Sequence, residues 1–131
     1  MAVGACGELM TPVVVTLPLR LVSEANAHEH WRHRQKRARE HHAVVNMVAT
    51  VPMRDAAMHL HRGTDLVVTI TRVAPRMLDS DGAVISGKYV RDAIAKLLGI
   101  NDNDPRVEWR YAQRKGKVRE YAVEIKVEAK P

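Results

Sequence analysis

Two aspartates, Asp79 and Asp81, stand two positions apart after an apolar, β-branched segment of the chain. If the extended backbone of that segment continues through them, both carboxylates project from the same face. Two carboxylates held close together repel each other unless a cation neutralises them, and Mg²⁺ is usually bound through one or two carboxylates with waters and phosphate oxygens. The pair therefore predicts a site for a hard cation. The alternative is structural, because acidic pairs after strands also form turns and caps, and Asp81 before Gly82 could cap the next helix.

Lys88 follows Asp81 by seven residues, which is about two helical turns. If a helix begins promptly after Gly82, the Lys88 ammonium group lies over the same face as the acidic pair. A positive charge there would stabilise the negative charge that builds on phosphoryl oxygens during phosphoryl transfer. The alternative is a surface ion pair between Lys88 and Asp92, four residues further along the helix.

A second acidic pair, Asp102 and Asp104, lies in a polar segment that leads into Pro105. The segment resembles the start of a calcium-binding loop, but it lacks the Gly and the closing Glu at the required spacing, which excludes an EF-hand. Taken by itself, the segment is interpreted as a turn.

The chain is basic: 21 lysine and arginine residues stand against 15 aspartate and glutamate residues, for a formal net charge of +6. A small basic domain typically binds a polyanion, most often nucleic acid. With no Phe and 4% aromatic residues, base stacking on an exposed sheet is disfavoured and contacts with phosphate are expected. The candidate contact residues lie in one helical segment and one turn: Arg32, Arg34, Lys36, Arg37 and Arg39, then Arg114, Lys115 and Lys117. A solvated helix face is the alternative interpretation of the helical run.

Five histidines fall in or just before the same helical segment: His28, His30, His33, His41 and His42. We interpret them as helix-surface or phosphate-neighbouring residues, because no Cys or carboxylate completes a metal-ligand set. The lone Cys6 excludes a disulfide within the chain. No stretch approaches the roughly 20 apolar residues that span a bilayer, and no secretory segment opens the chain. We therefore expect a reduced, cytoplasmic protein without a membrane partner.

The elements that must position these residues follow from the hydrophobic periodicity. The 131 residues suffice for one domain with one modest core. The predicted elements are strand 13–19, helix 27–51, strand 66–73, helix 84–98, and strands 107–113 and 120–128. Residues 23–26 supply the first helix cap, Pro52 ends that helix before a connector at 53–63, and the last two strands form a hairpin through the turn at 114–117. This β-α-β-α-β-β order predicts an α+β fold, a mixed sheet with helices packed on one face, formed by residues 13–131 after a flexible leader at 1–12.

Several of these positions together resemble a known family. The stretches that carry the resemblance are 78–82, Lys88, 90–94, 98–100 and 101–107. They resemble the RusA family of Holliday-junction resolvases, in the longer form met in phage and prophage proteins. Members of that family show two Asp at alternate positions, then a Lys, a helix reading Asp-Ala-Leu/Ile, and an acidic turn before an apolar strand. The resemblance extends more weakly to residues 17–18 and 23–26, to the basic helix and to the last two strands, so it covers most of residues 13–128.

The resemblance implies a homodimeric endonuclease that depends on Mg²⁺, with Mn²⁺ as a substitute, and that makes paired nicks in four-way DNA junctions. It implies no nucleotide cofactor, and a bacterial or phage-infected cell as the location. Carried over residue by residue, Asp79, Asp81 and Asp104 are metal ligands and catalytic residues, with Asp102 as the second choice for the third carboxylate. Lys88 is a catalytic residue that faces the scissile phosphate.

Asn26 joins the basic residues as a DNA-contacting position in the same resemblance. Gly82 departs from the family, which usually has Asn there, and the gap from Asp81 to Lys88 is longer than in the shortest members. Gly82 favours an alternative function, a protein that binds branched DNA through a degenerate acidic site without cleaving it. A third interpretation is a basic α+β interaction protein that does not bind nucleic acid.

Overall fold

The computed structural model describes residues 10–22 and 31–131, which form four strands and three helices. In chain order these are β1 (Val13–Leu17), α1 (Trp31–His61), β2 (Leu66–Ala74), α2 (Ser80–Ser86), α3 (Lys88–Leu98), β3 (Val107–Lys115) and β4 (Ala122–Ala129). The predicted order of elements is confirmed, with the second helix divided in two. Most of the predicted leader, the cap at 23–26 and the predicted helix start at 27 lie outside the described residues.

The four strands form one mixed sheet in the order β1-β4-β2-β3. Strand β4 pairs antiparallel with both β1 and β2, whereas β2 and β3 run parallel. Parallel neighbours need a crossover connection, which α2 and α3 supply here. The α+β class and the mixed sheet are therefore as predicted.

One face of the sheet forms the core. In the register, Val68 lies opposite Val127 and Ile70 lies opposite Ile125, and all four side chains are buried. The helices complete this cluster with buried residues of α1 and α3, namely Val45, Ala49, Met53, Ala56, Leu60, Val90, Ala93, Ile94 and Leu98. The opposite face carries mostly polar and charged side chains such as Thr69, together with two buried valines of β2, Val67 and Val73. The prediction that the helices pack on one face is thus confirmed.

Pro52 lies inside α1, so the predicted helix end at residue 51 and the connector at 53–63 are wrong. A proline in a helix interior costs about 3 kcal/mol, because it removes one hydrogen bond and crowds the preceding turn. Continuation of the helix buries Met53, Ala56 and Leu60, which are at most 1% exposed. Full burial of one Met or Leu side chain contributes about 1.5–3 kcal/mol. Burial of the second half of α1 therefore outweighs the cost of Pro52.

Strands β3 and β4 do not pair with each other, so the predicted hairpin is wrong. Strand β2 lies between them and runs parallel to β3, from Leu66 opposite Val107 to Ala74 opposite Lys115. An apolar strand such as β2 is stable in the sheet interior with a neighbour on each side, whereas alternation in β3 and β4 says nothing about which strand each one pairs with. Residues 116–121 instead cross the end of β2, where the Gly116 N–H donates to the Ala74 carbonyl at 2.8 Å.

In place of the predicted helix at 84–98 the structure has two helices. Helix α2 starts at Ser80, and the helical backbone is interrupted at Gly87, after which α3 begins. Gly87 is buried, and a Cβ atom there would lie 3.1 Å from Cε1 of Tyr111. The missing side chain therefore lets the junction pack closely on β3. Gly99 ends α3 in the left-handed conformation, with φ 75°, as glycine commonly does just after a helix.

Helix α1 is 31 residues long, and its first ten residues are mostly exposed and rich in basic side chains. Of the helices formed by residues 10–22 and 31–131, none combines the length and the apolar character needed to cross a membrane.

Candidate metal and nucleic-acid site

Asp79 is the N-cap residue of α2. Its backbone is extended, with φ −67° and ψ 169°. Its Oδ1 accepts a hydrogen bond from the Gly82 N–H at 2.6 Å, and its carbonyl oxygen accepts one from the Ala83 N–H at 2.9 Å. The expected capping role therefore belongs to Asp79 and not to Asp81. The cap engages one carboxylate oxygen, which leaves Oδ2 for a cation.

Asp81 lies in the first turn of α2 and its side chain is exposed. The predicted extended backbone through both aspartates is wrong, because β2 ends at Ala74 and is followed by Pro75, which cannot donate to a neighbouring strand. The two aspartates stay together for a different reason. Asp79 precedes the helix and Asp81 is in its first turn, so both carboxylates belong to one helix N-terminus.

Lys88 is the first residue of α3 and is exposed. The sequence predicts one continuous helix that begins after Gly82 and runs past Lys88. This prediction is wrong, because the helix is interrupted at Gly87, so that Asp81 lies in α2 and Lys88 in α3. Within the described part of the chain, no ion pair joins Lys88 to Asp92, and Asp92 lies near His42 and Lys96. Lys88 is therefore an exposed cation one short helix away from the acidic pair.

Asp104 is bound to Arg106. Its Oδ1 accepts from Nε of Arg106 at 3.1 Å and its Oδ2 accepts from Nη2 at 2.9 Å, while the Arg106 backbone N–H donates to Oδ1 at 2.9 Å. The side-chain hydrogen bonds from Arg106, then the backbone one, lower the pKa of Asp104 from 3.8 to about 2. Asp102 is likewise paired, since its Oδ2 lies 3.7 Å from Nε of Arg91.

The two acidic pairs lie at opposite ends of the sheet. Asp104 lies three residues before Val107, the first residue of β3, which is opposite Leu66 at the start of β2, whereas Asp79 follows the end of β2. A nine-residue strand spans about 26 Å. One chain therefore does not bring Asp102 or Asp104 to Asp79 and Asp81, and the expected acidic cluster is not assembled within it. Spacing along the sequence did not reveal this, because the crossover through α2 and α3 returns the chain to the start of β2.

Arg72 and Gln113 form a partly buried network beside the acidic pair that sequence patterns did not reveal. The Gln113 side-chain amide donates to the Leu78 carbonyl and accepts from the Leu78 N–H, both at 2.8 Å. Arg72 is 8% exposed and donates from Nη1 to the Arg76 carbonyl at 2.6 Å. Its position is a readable signal, because Arg72 continues the alternation of the inward-facing residues of β2.

The basic residues of α1 form an exposed charged segment. Lys36 lies 3.9 Å from Glu40, and the Arg32 guanidinium lies 5.7 Å from the centre of the Trp31 ring. Four of the five are exposed and one is half-buried: Arg32, Arg34, Lys36 and Arg39 in the first class and Arg37 in the second. Asn26, predicted to contact DNA with them, lies outside the described residues.

The second basic group, Arg114, Lys115 and Lys117, is exposed at the end of β3. Arg114 pairs with Glu124 at 2.7 Å on the open face of the sheet. This end of β3 is also the end next to the acidic pair, because Gln113 binds the backbone of Leu78. Two carboxylates and several cations therefore share one end of the sheet.

The histidines do not form one surface set. His33 is exposed, His42 is half-buried and His41 is buried, with its ring edge-on to Tyr89 at a centroid distance of 5.9 Å. The surface assignment is therefore wrong for His41, which faces α3. Burial, followed by the charge of Lys96, lowers the pKa of His42. His28 and His30 lie outside the described residues.

The donor set at α2 fits one kind of metal ion. Among residues 10–22 and 31–131, no group of three or more His, Cys, Asp or Glu side chains could hold a metal. Asp79 and Asp81 supply two carboxylates, which suits a hard cation that keeps several waters and binds substrate phosphates, as Mg²⁺ does. They do not suit a cation that needs a complete protein cage.

Comparison of the sequence with protein-family models gives no match, and comparison with curated proteins gives none either. Asp79, Asp81, Lys88 and the basic residues at the same end of the sheet are therefore the features from which a function can be inferred.

Proposed function

We propose that the protein is a Mg²⁺-dependent endonuclease of the RusA type that cleaves branched DNA, with four-way junctions as its preferred substrate. The observation that carries the proposal is the shared location of the acidic pair and a basic group at the end of the parallel strands β2 and β3. A phosphodiester needs both kinds of charge, cations for its oxygens and carboxylates for a metal ion. Ligand sites in open sheets commonly lie at the carboxyl ends of parallel strands.

Each residue has a role in this proposal. Asp79 and Asp81 hold the cation, and Lys88 and Lys115 bind non-bridging oxygens of the scissile or an adjacent phosphate. When bound, Mg²⁺ supplies an activated water and stabilises the leaving oxygen. The exposed basic residues of α1 bind phosphates further along the DNA, which raises affinity without reading sequence.

Asp104 has no role in the site of its own chain in this proposal. It lies at the far end of β2 and its carboxylate already binds Arg106 through three hydrogen bonds. Two carboxylates are sufficient for Mg²⁺ when waters and phosphate oxygens complete its coordination. The metal site is therefore proposed as Asp79 and Asp81, a smaller set than the resemblance implies.

A protein that binds branched DNA without cleaving it is the second candidate. The observation that favours it is the capping bond between Asp79 and Gly82, which gives Asp79 a structural reason to be acidic. A helix N-terminus also favours negative charge without any metal ion. The basic residues would then bind DNA through phosphate contacts alone.

The proposed enzyme works as a homodimer. Symmetric cleavage of a four-way junction requires two nicks, and one chain offers one acidic pair at α2. A closed two-fold pair is the commonest arrangement for a homo-oligomer. Light scattering at the working concentration should give about twice the mass of 14.7 kDa, and a monomer that still makes paired, symmetric nicks would contradict the arrangement.

A cleavage assay on four-way, Y-shaped and linear DNA, with and without Mg²⁺, tests the proposed function. The enzyme should nick the four-way junction in Mg²⁺ and leave linear duplex intact. The non-cleaving candidate instead binds the junction in gel shift at low salt and releases it uncut in Mg²⁺. A protein that neither binds nor cuts any of the three DNAs would exclude both candidates.

A further inference from the structure

The backbone just before Asp79 is held by side chains of β2 and β3. Both polar groups of the Leu78 peptide backbone bind the Gln113 side-chain amide at 2.8 Å, an arrangement that mimics a pair of strand hydrogen bonds. Two residues earlier, the Arg76 carbonyl accepts from Nη1 of Arg72 at 2.6 Å. The segment between β2 and α2 is therefore attached to side chains of the sheet at two points, Arg76 and Leu78.

Arg72 is an unusual residue for its position in the sheet. It lies on the same face of β2 as the core residues Leu66, Val68 and Ile70, and it is 8% exposed. Its hydrogen bonds go to neutral oxygens: the carbonyls of Leu21 at 3.4 Å and Arg76, and Oε1 of Gln113 at 3.4 Å. A buried cation held by neutral oxygens is costly, and an apolar residue of similar volume would commonly serve the fold better. Burial lowers the pKa of Arg72, with the charge of Arg20 as the next cause, which agrees with this cost.

We propose that Arg72 and Gln113 are positioning residues for the acidic pair. Gln113 orients Leu78, the residue next to Asp79, and Arg72 binds both Gln113 and the start of the same segment. Asp79 can then cap α2, and the cap places Asp81 in the first turn beside it. This inference rests on the proposed metal site at Asp79 and Asp81.

A positioning role and a merely structural role give different results. Removal of the Gln113 hydrogen bonds lets the segment before Asp79 move, so the two carboxylates must be ordered when the metal binds. Metal affinity should fall while the chemistry at saturating metal is retained. A residue that only stabilises the fold would lower the melting temperature without changing metal affinity in the folded protein.

The test compares Gln113→Leu, Gln113→Glu and the control Val107→Ala. Val107 is a buried residue of the same strand at its far end, 5% exposed, so its truncation destabilises the sheet without touching the acidic pair. Binding of Mn²⁺ in the absence of DNA is followed by electron paramagnetic resonance, and the Mg²⁺ dependence of junction cleavage is measured on the same samples. Gln113→Leu should weaken Mn²⁺ binding about tenfold, the effect of removing one or two hydrogen bonds, and excess Mg²⁺ should restore cleavage.

Gln113→Glu keeps the acceptor for the Leu78 N–H but loses the donor to the Leu78 carbonyl, so its decrease in affinity should be smaller. Val107→Ala should bind Mn²⁺ like the wild type although it unfolds at a lower temperature. The inference is overturned if Gln113→Leu binds Mn²⁺ as tightly as the wild type, or if Val107→Ala weakens binding equally.

Amide hydrogen exchange separates this inference from the proposed function. The Gly82 N–H, which donates to Asp79, should exchange faster in Gln113→Leu than in the wild type or in Val107→Ala, with or without metal. If the wild type binds no Mn²⁺ but Gly82 exchange rises in Gln113→Leu, the metal site is wrong and the positioning of Asp79 stands. Unchanged Gly82 exchange in Gln113→Leu would overturn the positioning itself.

Discussion

Asp104 and Arg106 form a two-pronged ion pair two residues apart, at the end of the sheet where β3 begins. Both carboxylate oxygens accept from the guanidinium, at 3.1 and 2.9 Å. The carboxylate that the family resemblance implies as a third metal ligand is therefore already bound to Arg106 in the folded chain. The pair also places a carboxylate with a lowered pKa at the opposite end of β2 from the proposed metal site, where its titration can be measured separately.

The Asp104 pair predicts a pH dependence of stability. The pKa of Asp104 is about 2 in the folded chain against 3.8 as the ordinary value, so the folded state favours the ionised form. The stability from this shift is fully present above about pH 4 and is lost as the pH falls through 2. Urea unfolding midpoints of the wild type and of Asp104→Asn should differ by a constant amount above pH 4 and converge between pH 4 and 2. A difference that stays constant down to pH 2 would contradict the lowered pKa.

Asp81→Asn should separate catalysis from binding. The substitution removes one negative charge and one metal ligand while keeping the shape of the side chain. Cleavage of four-way junctions should fall by several orders of magnitude, because loss of the ion removes several kcal/mol of transition-state stabilisation. Junction affinity without metal should stay the same or rise, since less negative charge faces the phosphates. Asp65→Asn, an exposed aspartate at the far end of β2, is the matched control for charge. A fully active Asp81→Asn protein would remove Asp81 from the catalytic site.

Asp79 should show both a capping and a catalytic role. Asp79→Ala should lower the free energy of unfolding by about 1 kcal/mol, because the Gly82 N–H loses its acceptor. Asp79→Asn should keep most of this stability, since Asn is a good N-cap residue, yet lose cleavage with the carboxylate. Thermal unfolding and nicking of the two variants distinguish the roles. If Asp79→Asn nicks junctions as fast as the wild type, Asp79 has no catalytic role and serves only as the N-cap of α2.

The basic segment of α1 should dominate the salt dependence of DNA binding. Neutralisation of Arg34, Lys36, Arg37 and Arg39 should reduce the slope of log K against log salt by about 0.9 for each DNA phosphate that the variant no longer neutralises. The control neutralises four exposed cations elsewhere, Arg54, Arg62, Lys96 and Lys130, and changes the net charge equally. If both fourfold variants lower the slope by the same amount, α1 has no privileged role in binding DNA.

Local sequence patterns were sufficient for the order of elements and for the sheet faces. Alternation in residues 120–128 places Val123, Ile125 and Val127 on one face of the strand, and all three are buried, because the two faces of a strand have different solvent exposure whatever its partner. Gly99 is a local signal for the end of α3, since the left-handed conformation after a helix is adopted readily by glycine and strained for most other residues. The acidic pair was identified from its spacing alone, although helix geometry and not strand geometry holds it together.

Tertiary structure decided the features that depend on distant residues. Pro52 is tolerated because Met53, Ala56 and Leu60 gain burial against the sheet and α3, which no local rule includes. The apolar β2 lies between β3 and β4 because a central strand buries more of its surface than an edge strand.

The parallel pairing of β2 and β3 then separates Asp104 from Asp79 by the length of a strand. It also brings Gln113 to Leu78, across 35 positions of the chain. The amino-acid sequence by itself thus determined which residues supply the carboxylates and cations of the proposed metal and phosphate site. The pairing of strands decided which of them share one end of the sheet, because hydrogen-bonded register depends on the whole core and not on local spacing.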